Sequence, residues 1–228
     1  MQKGICYSLS NRILSRKDLM KRERITISIR EDILKAIDKR IDGVRLRNRS
    51  HAIESLISDV LGLDSVSDAI ILAGGENPDK SLPAVKDALL RLKKVGLKDA
   101  IIAIGYRGDK IKSELKDGKD FGIKITYLEK GEGSGGALLP MKSAIKKTFI
   151  VVNIKNKLDL EYKMLLDFHK AGNSITTVAT NNIKTFEGIY IIEPEIFSYL
   201  PKGFSMLEDD IFPKVLKEGK LSIYPVIA

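Results

Sequence analysis

Apolar and polar residues alternate without a break from Arg24 to Arg30. Ile25, Ile27 and Ile29 fall on one side of this alternation, and polar residues that are short or basic fall on the other. Alternation of β-branched residues with a period of two predicts a half-buried β-strand. No second strand pattern lies within reach in this segment, so the expected partner is the same strand of another copy of the chain.

Two helices are predicted directly after this strand. Acidic residues fill the first turn of the first helix, 31–41, where the positive end of the helix dipole favours them. Gly43 ends this helix with a left-handed cap. Ser50 is the predicted N-cap of a second helix that ends before Gly62. Because about forty residues in one strand and two helices cannot bury a core alone, the missing surface is expected from a twofold-related copy.

A different pattern begins at Asp68, where continuous apolar runs alternate with amphipathic segments. Continuous apolar runs are typical of strands that are buried on both faces. Strands are predicted at 69–73, 100–104, 122–128, 148–153, 174–180, 188–192 and 221–226. Helices are predicted at 82–95, 109–115, 135–146, 160–170, 195–200 and 207–217. This alternation predicts an α/β layered domain with a mostly parallel sheet.

The chain therefore divides into a basic N-terminal arm (1–23), a strand–helix–helix module (24–62), a linker (63–67) and an α/β domain (68–228). The formal net charge of +9 is unevenly distributed. The first 62 residues carry 14 Lys and Arg against 8 Asp and Glu, a net of +6, and the remainder carries 25 against 22, a net of +3. A positive balance concentrated in one module is typical of nucleic-acid binding.

Several classes of protein and of site are excluded by the composition. Cys6 is the single cysteine, so no internal disulfide and no multi-cysteine metal site is expected. His51 and His169 lie far apart in the sequence, and we predict no metal site and no cofactor. No apolar run reaches the length of about 18 residues that a membrane span needs, and the first residues lack the apolar run of a signal peptide. We therefore predict a cytoplasmic protein without a membrane partner.

The module from about Arg22 to Gly62 resembles the ribbon-helix-helix family of DNA-binding proteins through residues 24–29, 33–34 and 48–53. The resemblance implies an intertwined homodimer, or a tetramer built from it, whose two-stranded ribbon enters the major groove of double-stranded DNA. The outward residues of the ribbon would read base edges, and the start of the second helix would hold a phosphate. The implied DNA-binding residues are Arg24, Thr26, Ser28, Arg30, Arg49, Ser50, His51, Lys21 and Arg22.

The α/β domain resembles the sugar-phosphate nucleotidylyltransferase family from Asp68 almost to Ala228. The matching stretches are 70–75, 90–96, 104–108, 133–138, 188–194 and 207–213. The resemblance implies a Rossmann-like sheet with a nucleotide pocket at the ends of its strands. The residues implied in binding a nucleotide or a nucleotide sugar are Leu72, Ala73, Gly74, Gly75, Gly133 and Ser134.

Three departures from this family pattern bear on catalysis. Gly75 runs directly into residues 76–80, without the glycine-rich loop and the Pro-Lys pair that hold the triphosphate in the family. Lys155 stands where the family carries an aspartate that binds magnesium, and the segment 182–187 is much shorter than the family's sugar-binding region. Because phosphoryl-type transfer depends on positioning and on cations that neutralise developing charge, we expect no nucleotidyl transfer.

These patterns favour a transcriptional regulator. In this interpretation a ribbon-helix-helix dimer binds DNA in a sequence-specific manner, and an inactive pseudoenzyme domain senses a ligand or drives oligomerisation. Two alternatives stay open, namely an active nucleotidylyltransferase with a DNA-binding tether and an architectural or DNA-partitioning protein. A nucleotide is expected to change the affinity for DNA only in the regulator, because coupling needs a ligand that distinguishes two states.

Overall fold

The structure is a computed structural model that describes residues 24–43, 46–61, 66, 68–74, 77–105, 108–129 and 131–226. The chain divides into two compact units, Met1–Ser55 and Leu56–Ala228, and each is described by itself. The predicted boundaries at 63–67 stay a prediction, since most of that segment lies outside the described residues. Within the described ranges, no helix combines the length and the apolar character that a bilayer span requires.

The first unit opens with an extended segment, 24–30, that has no strand partner within the described chain. Ile25 and Ile27 expose 76% and 51% of their surface. Helix α1, Glu31–Asp38, follows and is shorter than expected, because the amides after it bond three residues back and tighten the backbone. The paired ribbon of the ribbon-helix-helix arrangement is therefore not shown by this chain.

Helix α2, Arg49–Leu61, begins two residues earlier than the predicted N-cap at Ser50 implies. Its first turn is capped by Asn48, whose side-chain oxygen accepts a hydrogen bond from the amide of His51 at 2.9 Å. The prediction of Ser50 as N-cap is therefore wrong, because Asn48 supplies the acceptor from outside the helix. Arg49 joins α2 to α1 through two hydrogen bonds to the carboxylate of Asp38, at 2.7 and 2.8 Å.

The second unit is built on a seven-stranded sheet with strand order β3-β2-β1-β4-β6-β5-β7. The strands are β1 Asp68–Leu72, β2 Asp99–Ala103, β3 Lys124–Leu128, β4 Phe149–Asn153, β5 Thr176–Thr180, β6 Ile189–Ile192 and β7 Leu221–Pro225. Strand β6 runs antiparallel to both of its neighbours, and all other pairs are parallel. The predicted α/β fold with a mostly parallel sheet is therefore confirmed.

Helices cover both faces of this sheet, which explains the continuous apolar runs of its central strands. The helices are α3 Pro78–Lys94, α4 Asp109–Leu115, α5 Gly133–Leu138, α6 Tyr162–Ala171 and α7 Phe212–Lys217. Along β1, Ala69 and Ile71 pack into the core beneath α3, α4 and α6. Ile70 and Leu72 point the opposite way and pack into the core beneath α5 and α7. Alternate residues of one strand thus serve two separate cores.

Two predicted helices are each divided in the structure, and each contains a proline near the point of division. The predicted helix 135–146 ends as α5 at Leu138 and continues only as a short 3-10 turn that contains Pro140. The predicted helix 207–217 consists of a π-helical turn, Leu207–Ile211, followed by α7 with Pro213 in its first turn. Proline lacks the amide hydrogen and clashes with the preceding turn, which disfavours a continuous α-helix at either position, although α3 continues through Pro83.

Candidate functional site

The carboxyl ends of β1 and β4 lie side by side at the centre of the sheet. Leu72, the last residue of β1, is the register partner of Asn153, the last residue of β4. Ala73 and Gly74 follow β1 directly, and the amide of Ala73 donates to the carbonyl of Ala103 at 2.9 Å. Open α/β sheets usually bind ligands at this edge. We therefore take this edge as the candidate site.

A buried carboxylate, Glu208, lies at this edge with only 5% of its surface exposed. Its Oε1 atom accepts hydrogen bonds from Asn153 Nδ2 at 2.9 Å and from the Tyr190 hydroxyl at 2.7 Å. Its Oε2 atom accepts a hydrogen bond from the Ser134 hydroxyl at 2.5 Å. The four side chains come from β4, β6, the start of α5 and the π-helical turn. We call them the Glu208 network.

The Glu208 network satisfies a charge that would be costly to bury alone. A buried carboxylate needs donors in place of the water it loses, and here three side chains supply them. Burial raises the pKa of Tyr190 well above its ordinary value, and the neighbouring Glu208 carboxylate raises this pKa further. Tyr190 therefore stays a neutral donor at physiological pH, and its oxygen also accepts from the amide of Gly188 at 3.1 Å.

The glycine-rich turn 131–136 is held against Ser205. The amides of Gly135 and Gly136 donate to the Ser205 carbonyl at 2.8 and 3.3 Å. Gly133 has a φ of +79°, and a Cβ atom there would lie 2.3 Å from the same carbonyl oxygen, so only glycine fits. The amides of Gly135 and Gly136, in the first turn of α5, are thus engaged within the chain.

The outer surface of this turn forms an open cleft of about 330 Å³. It is lined by Gly131, Glu132, Gly136, Leu139, Pro140 and Gly203.

Two loops at the same edge of the sheet are tied together by Asn156. Its Nδ2 atom donates to Asn181 Oδ1 at 2.8 Å and to the carbonyl of Glu187 at 3.0 Å. The first loop follows β4, and its start is fixed because the amide of Lys155 donates to Asn153 Oδ1 at 3.1 Å. The second loop joins β5 to β6. Both therefore border the Glu208 network.

The Glu208 network does not fit a magnesium ion held by the protein. Magnesium prefers octahedral oxygen ligands and is usually held by one or two free carboxylates. Both oxygens of Glu208 already accept hydrogen bonds, and the residue after Ile154 in the β4 loop is a lysine. Across the ranges that the structure describes, no three His, Cys, Asp or Glu side chains gather into a metal-binding group.

The predicted nucleotide-binding residues are divided between two places at this edge. Leu72, Ala73 and Gly74 lie at the end of β1, and Gly75 lies outside the described residues. Gly133 and Ser134 face inward, toward Ser205 and the Glu208 network. Their contact with a nucleotide stays a prediction.

Sequence patterns do not single out Tyr190, Asn153 or Glu208 as site residues. An acidic run at the start of a predicted helix, 208–210, is typical of solvated charge that complements the helix dipole. Glu208 is instead buried. The one available signal was its position between Leu207 and Ile211, which are both fully buried.

The predicted DNA-binding residues lie in the first unit. Arg24, Thr26 and Ser28 are exposed on the extended segment, and Lys21 and Arg22 lie outside the described residues. Their role in binding stays a prediction.

The remaining residues of that predicted set make contacts within the chain. Arg30 pairs with Asp32 at 3.0 Å, and Arg49 pairs with Asp38. Ser50 is exposed, and the backbone of His51 serves the cap of α2.

Comparison with known proteins relates the chain to sugar-phosphate nucleotidylyltransferases. No protein-family model matches the chain. It is 24% identical to a UTP–glucose-1-phosphate uridylyltransferase from Synechocystis, over 63% of the chain and 50% of the relative. It is 27% identical to a mannose-1-phosphate guanyltransferase from Saccharomyces cerevisiae, over 61% of the chain and 49% of the relative. The chain thus spans about half the length of these curated relatives.

Solved structures agree on the fold. A protein from Bacillus anthracis, assigned as a glucose-1-phosphate thymidylyltransferase and solved with sucrose, is 20% identical with a TM-score of 0.58, over 71% of the chain and 87% of its own. HddC from Yersinia pseudotuberculosis, in complex with GMP-PN, is 18% identical with a TM-score of 0.53, over 71% and 92%. The sheet therefore has the Rossmann-like fold of nucleotidyltransferases.

These comparisons correct two expectations. The interpretation of the chain as a DNA-binding transcriptional regulator is wrong, because the relatives named above are enzymes that transfer nucleotides and none of them is named for DNA binding. The expectation of an inactive pseudoenzyme is corrected as well, because these relatives are named as nucleotidyltransferases. It rested on a missing loop, on Lys155 and on a shortened segment, whereas the similarity extends over alignments of 177 and 193 residues.

Proposed function

We propose that the second unit is a nucleotidyltransferase that joins a nucleoside triphosphate to a sugar phosphate. The observation that carries the proposal is the Glu208 network, which gathers four polar side chains at the carboxyl edge of the sheet. Ligands of open α/β sheets bind at this edge. The relatives are named for this reaction with UTP and glucose 1-phosphate, and with mannose 1-phosphate and a guanyl group.

The proposed reaction is a displacement at phosphorus. A phosphate oxygen of the sugar phosphate attacks the α-phosphorus of the nucleoside triphosphate, and the bond from that phosphorus to the bridging oxygen of the β-phosphate breaks. Pyrophosphate leaves with the electrons of the broken bond, and a nucleoside diphosphate sugar forms. Such transfer depends on holding the two phosphates in line in a fixed electrostatic field.

The Glu208 network supports this reaction as a positioning device. Asn153 ends β4, and its side chain is fixed by Glu208 on one side and by the amide of Lys155 on the other. Ser134 is fixed by Glu208 and by the amide of Leu207 at 2.8 Å. The turn between β4 and its loop and the start of α5 are thus held in one arrangement before a substrate binds, which lowers the entropic cost of binding.

The test is a pyrophosphate-release assay with UTP, GTP, CTP and TTP, each with glucose 1-phosphate and mannose 1-phosphate, in the presence of magnesium chloride. We expect turnover with at least one pair and a nucleoside diphosphate sugar as the second product. Tyr190→Phe should lower this turnover, whereas Tyr199→Phe, at a surface ion cluster with Glu218 and Lys220, should not. Absence of both turnover and nucleotide binding for every pair would overturn the proposal.

We also propose that the chain forms a homodimer through its first unit. Ile25 and Ile27 lie on an extended segment. Ile25 exposes 76% of its surface, and Ile27 exposes 51%. Exposed isoleucines at alternate positions form an apolar edge that a second copy of the same segment can cover.

A further inference from the structure

Lys155 is the first polar residue after the carboxyl end of β4, and its backbone is fixed. Its amide donates to Asn153 Oδ1 at 3.1 Å. The same Asn153 side chain donates to Glu208 through its other end. The position of residue 155 relative to the Glu208 network is therefore set by two consecutive hydrogen bonds, although the Lys155 side chain itself is exposed.

The surroundings of Lys155 are basic. Lys157 lies in the same loop, and Lys184 lies in the β5–β6 loop that Asn156 ties to it. All three lysines are exposed, and within the described part of the chain their ammonium groups make no ion pair. The two loops also carry two carboxylates: Asp159 pairs with Arg91 at 3.0 Å, and Glu187, whose backbone carbonyl accepts from Asn156, is partly exposed.

A positive side chain at this place is at odds with a metal ion held by the protein. The single buried carboxylate of the network has both oxygens engaged by donors. A divalent cation beside the Lys155 ammonium would be repelled by it, whereas a phosphate group would be attracted. An ammonium is also a well-known phosphate-binding group that acts as a point charge.

We propose that Lys155 binds a phosphate group of the nucleotide directly, so that nucleotide binding does not require a divalent cation held by the protein. This inference rests on the proposed nucleotidyltransferase function. It assigns to a residue of the chain the positive charge that phosphates need in such a site. The substrate class is a nucleoside triphosphate whose phosphates lie over the end of β4.

The test measures binding of GTP and UTP by isothermal titration calorimetry, once with excess EDTA and once with excess magnesium chloride. We expect the wild type to bind in both conditions. Lys155→Gln should weaken binding in EDTA by about tenfold or more, which corresponds to one hydrogen bond to a charged group. Lys155→Arg should retain most of the affinity. The melting temperature should not change, since the side chain is exposed.

Two control variants separate a direct contact from a general electrostatic field. Lys170→Gln removes an exposed lysine at the end of α6, at the opposite edge of the sheet, and should leave binding unchanged. Lys157→Gln removes the neighbouring charge and should weaken binding less than Lys155→Gln. Equal losses for Lys155→Gln and Lys157→Gln would overturn the assignment of the contact to Lys155.

The remaining outcomes distinguish this inference from the proposed function. If the wild type binds a nucleotide only with magnesium and Lys155→Gln binds equally well, the inference is wrong and the proposed function stands. If the wild type binds neither nucleotide in either condition, the proposed nucleotide site is wrong and the inference falls with it.

Discussion

The side-chain amide of Asn153 donates a hydrogen bond to the carboxylate of Glu208 at 2.9 Å, although 55 positions separate the two residues in the chain. This bond joins the last residue of β4 to the π-helical turn that precedes α7. Both side chains are 5% exposed, so the bond is shielded from water. The Glu208 carboxylate at the candidate site therefore lies in the protein interior, where little solvent reaches it.

Replacing Glu208 by Gln tests this charge. Glutamine keeps the volume but offers an amide group to side chains that are themselves donors, so at least one donor loses its acceptor. A buried donor without a partner costs about 1–3 kcal/mol, and we expect that loss in the free energy of unfolding from urea denaturation. Asp209→Asn, at the exposed neighbouring position, should change it by less than about 0.5 kcal/mol. Equal losses in the two variants would contradict the role given to Glu208.

Replacing Tyr190 by Phe tests the hydroxyl that bridges Glu208 and Gly188. Removal of this hydroxyl leaves the buried amide of Gly188 without its acceptor, and we expect a loss of about 1–3 kcal/mol in the free energy of unfolding at neutral pH. Urea denaturation measures this loss. A variant as stable as the wild type would contradict the hydrogen bonds found here.

The pH dependence of the free energy of unfolding gives an independent test of the raised pKa of Tyr190. Burial raises its pKa in the folded state above the ordinary value. Its contribution is therefore fully present below the pKa of tyrosine in the unfolded chain, about 10, and is lost as the pH rises through the folded-state pKa. The wild type should lose more stability than Tyr190→Phe between neutral pH and pH values above 10. Tyr162, whose pKa burial also raises, is present in both proteins. Parallel losses in the two proteins would show that Tyr190 does not titrate differently on unfolding.

Replacing Gly188 by Ala tests how closely the backbone of this residue approaches strand β5 beside the site. A Cβ atom at this position would lie 1.9 Å from the carbonyl oxygen of Ala179, on the neighbouring strand β5. Gly188→Ala should therefore lower the free energy of unfolding by about 1–3 kcal/mol or prevent folding. Gly172→Ala is a matched control, because a Cβ atom there meets its nearest neighbour at 3.6 Å. A Gly188→Ala variant as stable as Gly172→Ala would show that the backbones can separate.

The homodimer is tested by replacing Ile27 with Asp. A charge at the centre of the predicted strand pair would be buried without a partner, so the variant should sediment as a monomer in analytical ultracentrifugation while the wild type sediments as a dimer. Thr26→Asp places the same charge on the other side of the alternation and should leave the dimer intact. A monomeric wild type would remove the dimer proposal.

The pKa of Asp38 reports whether its carboxylate pairs with Arg49 and so connects α1 to α2. The hydrogen bonds from Arg49 lower the pKa of Asp38 below its ordinary value. The stability that this pair contributes is therefore present above the unfolded pKa of aspartate and is lost as the pH falls through the folded-state pKa. Carboxyl-carbon NMR titration should show the lowered pKa in the wild type and a higher pKa in Arg49→Gln. Identical titration curves would show that the two side chains do not pair in solution.

Strands β1, β2, β4 and β6 of the second unit could be predicted from sequence because each is dominated by a short, continuous apolar run between turn residues. The run 149–153, for example, is buried at all five positions. The Glu208 network could not be predicted in the same way. Its members lie 18 to 74 positions apart along the chain, so no local pattern connects them. Tyr190 in particular is one more apolar residue of β6 when only the sequence is considered.

The predicted boundaries of two helices were wrong, although the sequence already shows a proline inside each of them. Pro140 and Pro213 lie inside the predicted helices 135–146 and 207–217, and the apolar periodicity on both sides of each proline concealed the interruption. In the first unit, the alternation at 24–30 specifies an extended backbone, which the structure has. It does not specify the partner strand, because the pairing groups would belong to another chain.

The spacing of the Glu208 network along the chain also has a consequence for biosynthesis. Its donors at positions 134, 153 and 190 are synthesised before their acceptor at 208. A nascent chain that stops after β6 would contain these three hydroxyl and amide donors without the Glu208 carboxylate that accepts their hydrogen bonds. The hydrogen bonds of the site therefore form late in synthesis. Any truncation before residue 208 removes the carboxylate that accepts all of them.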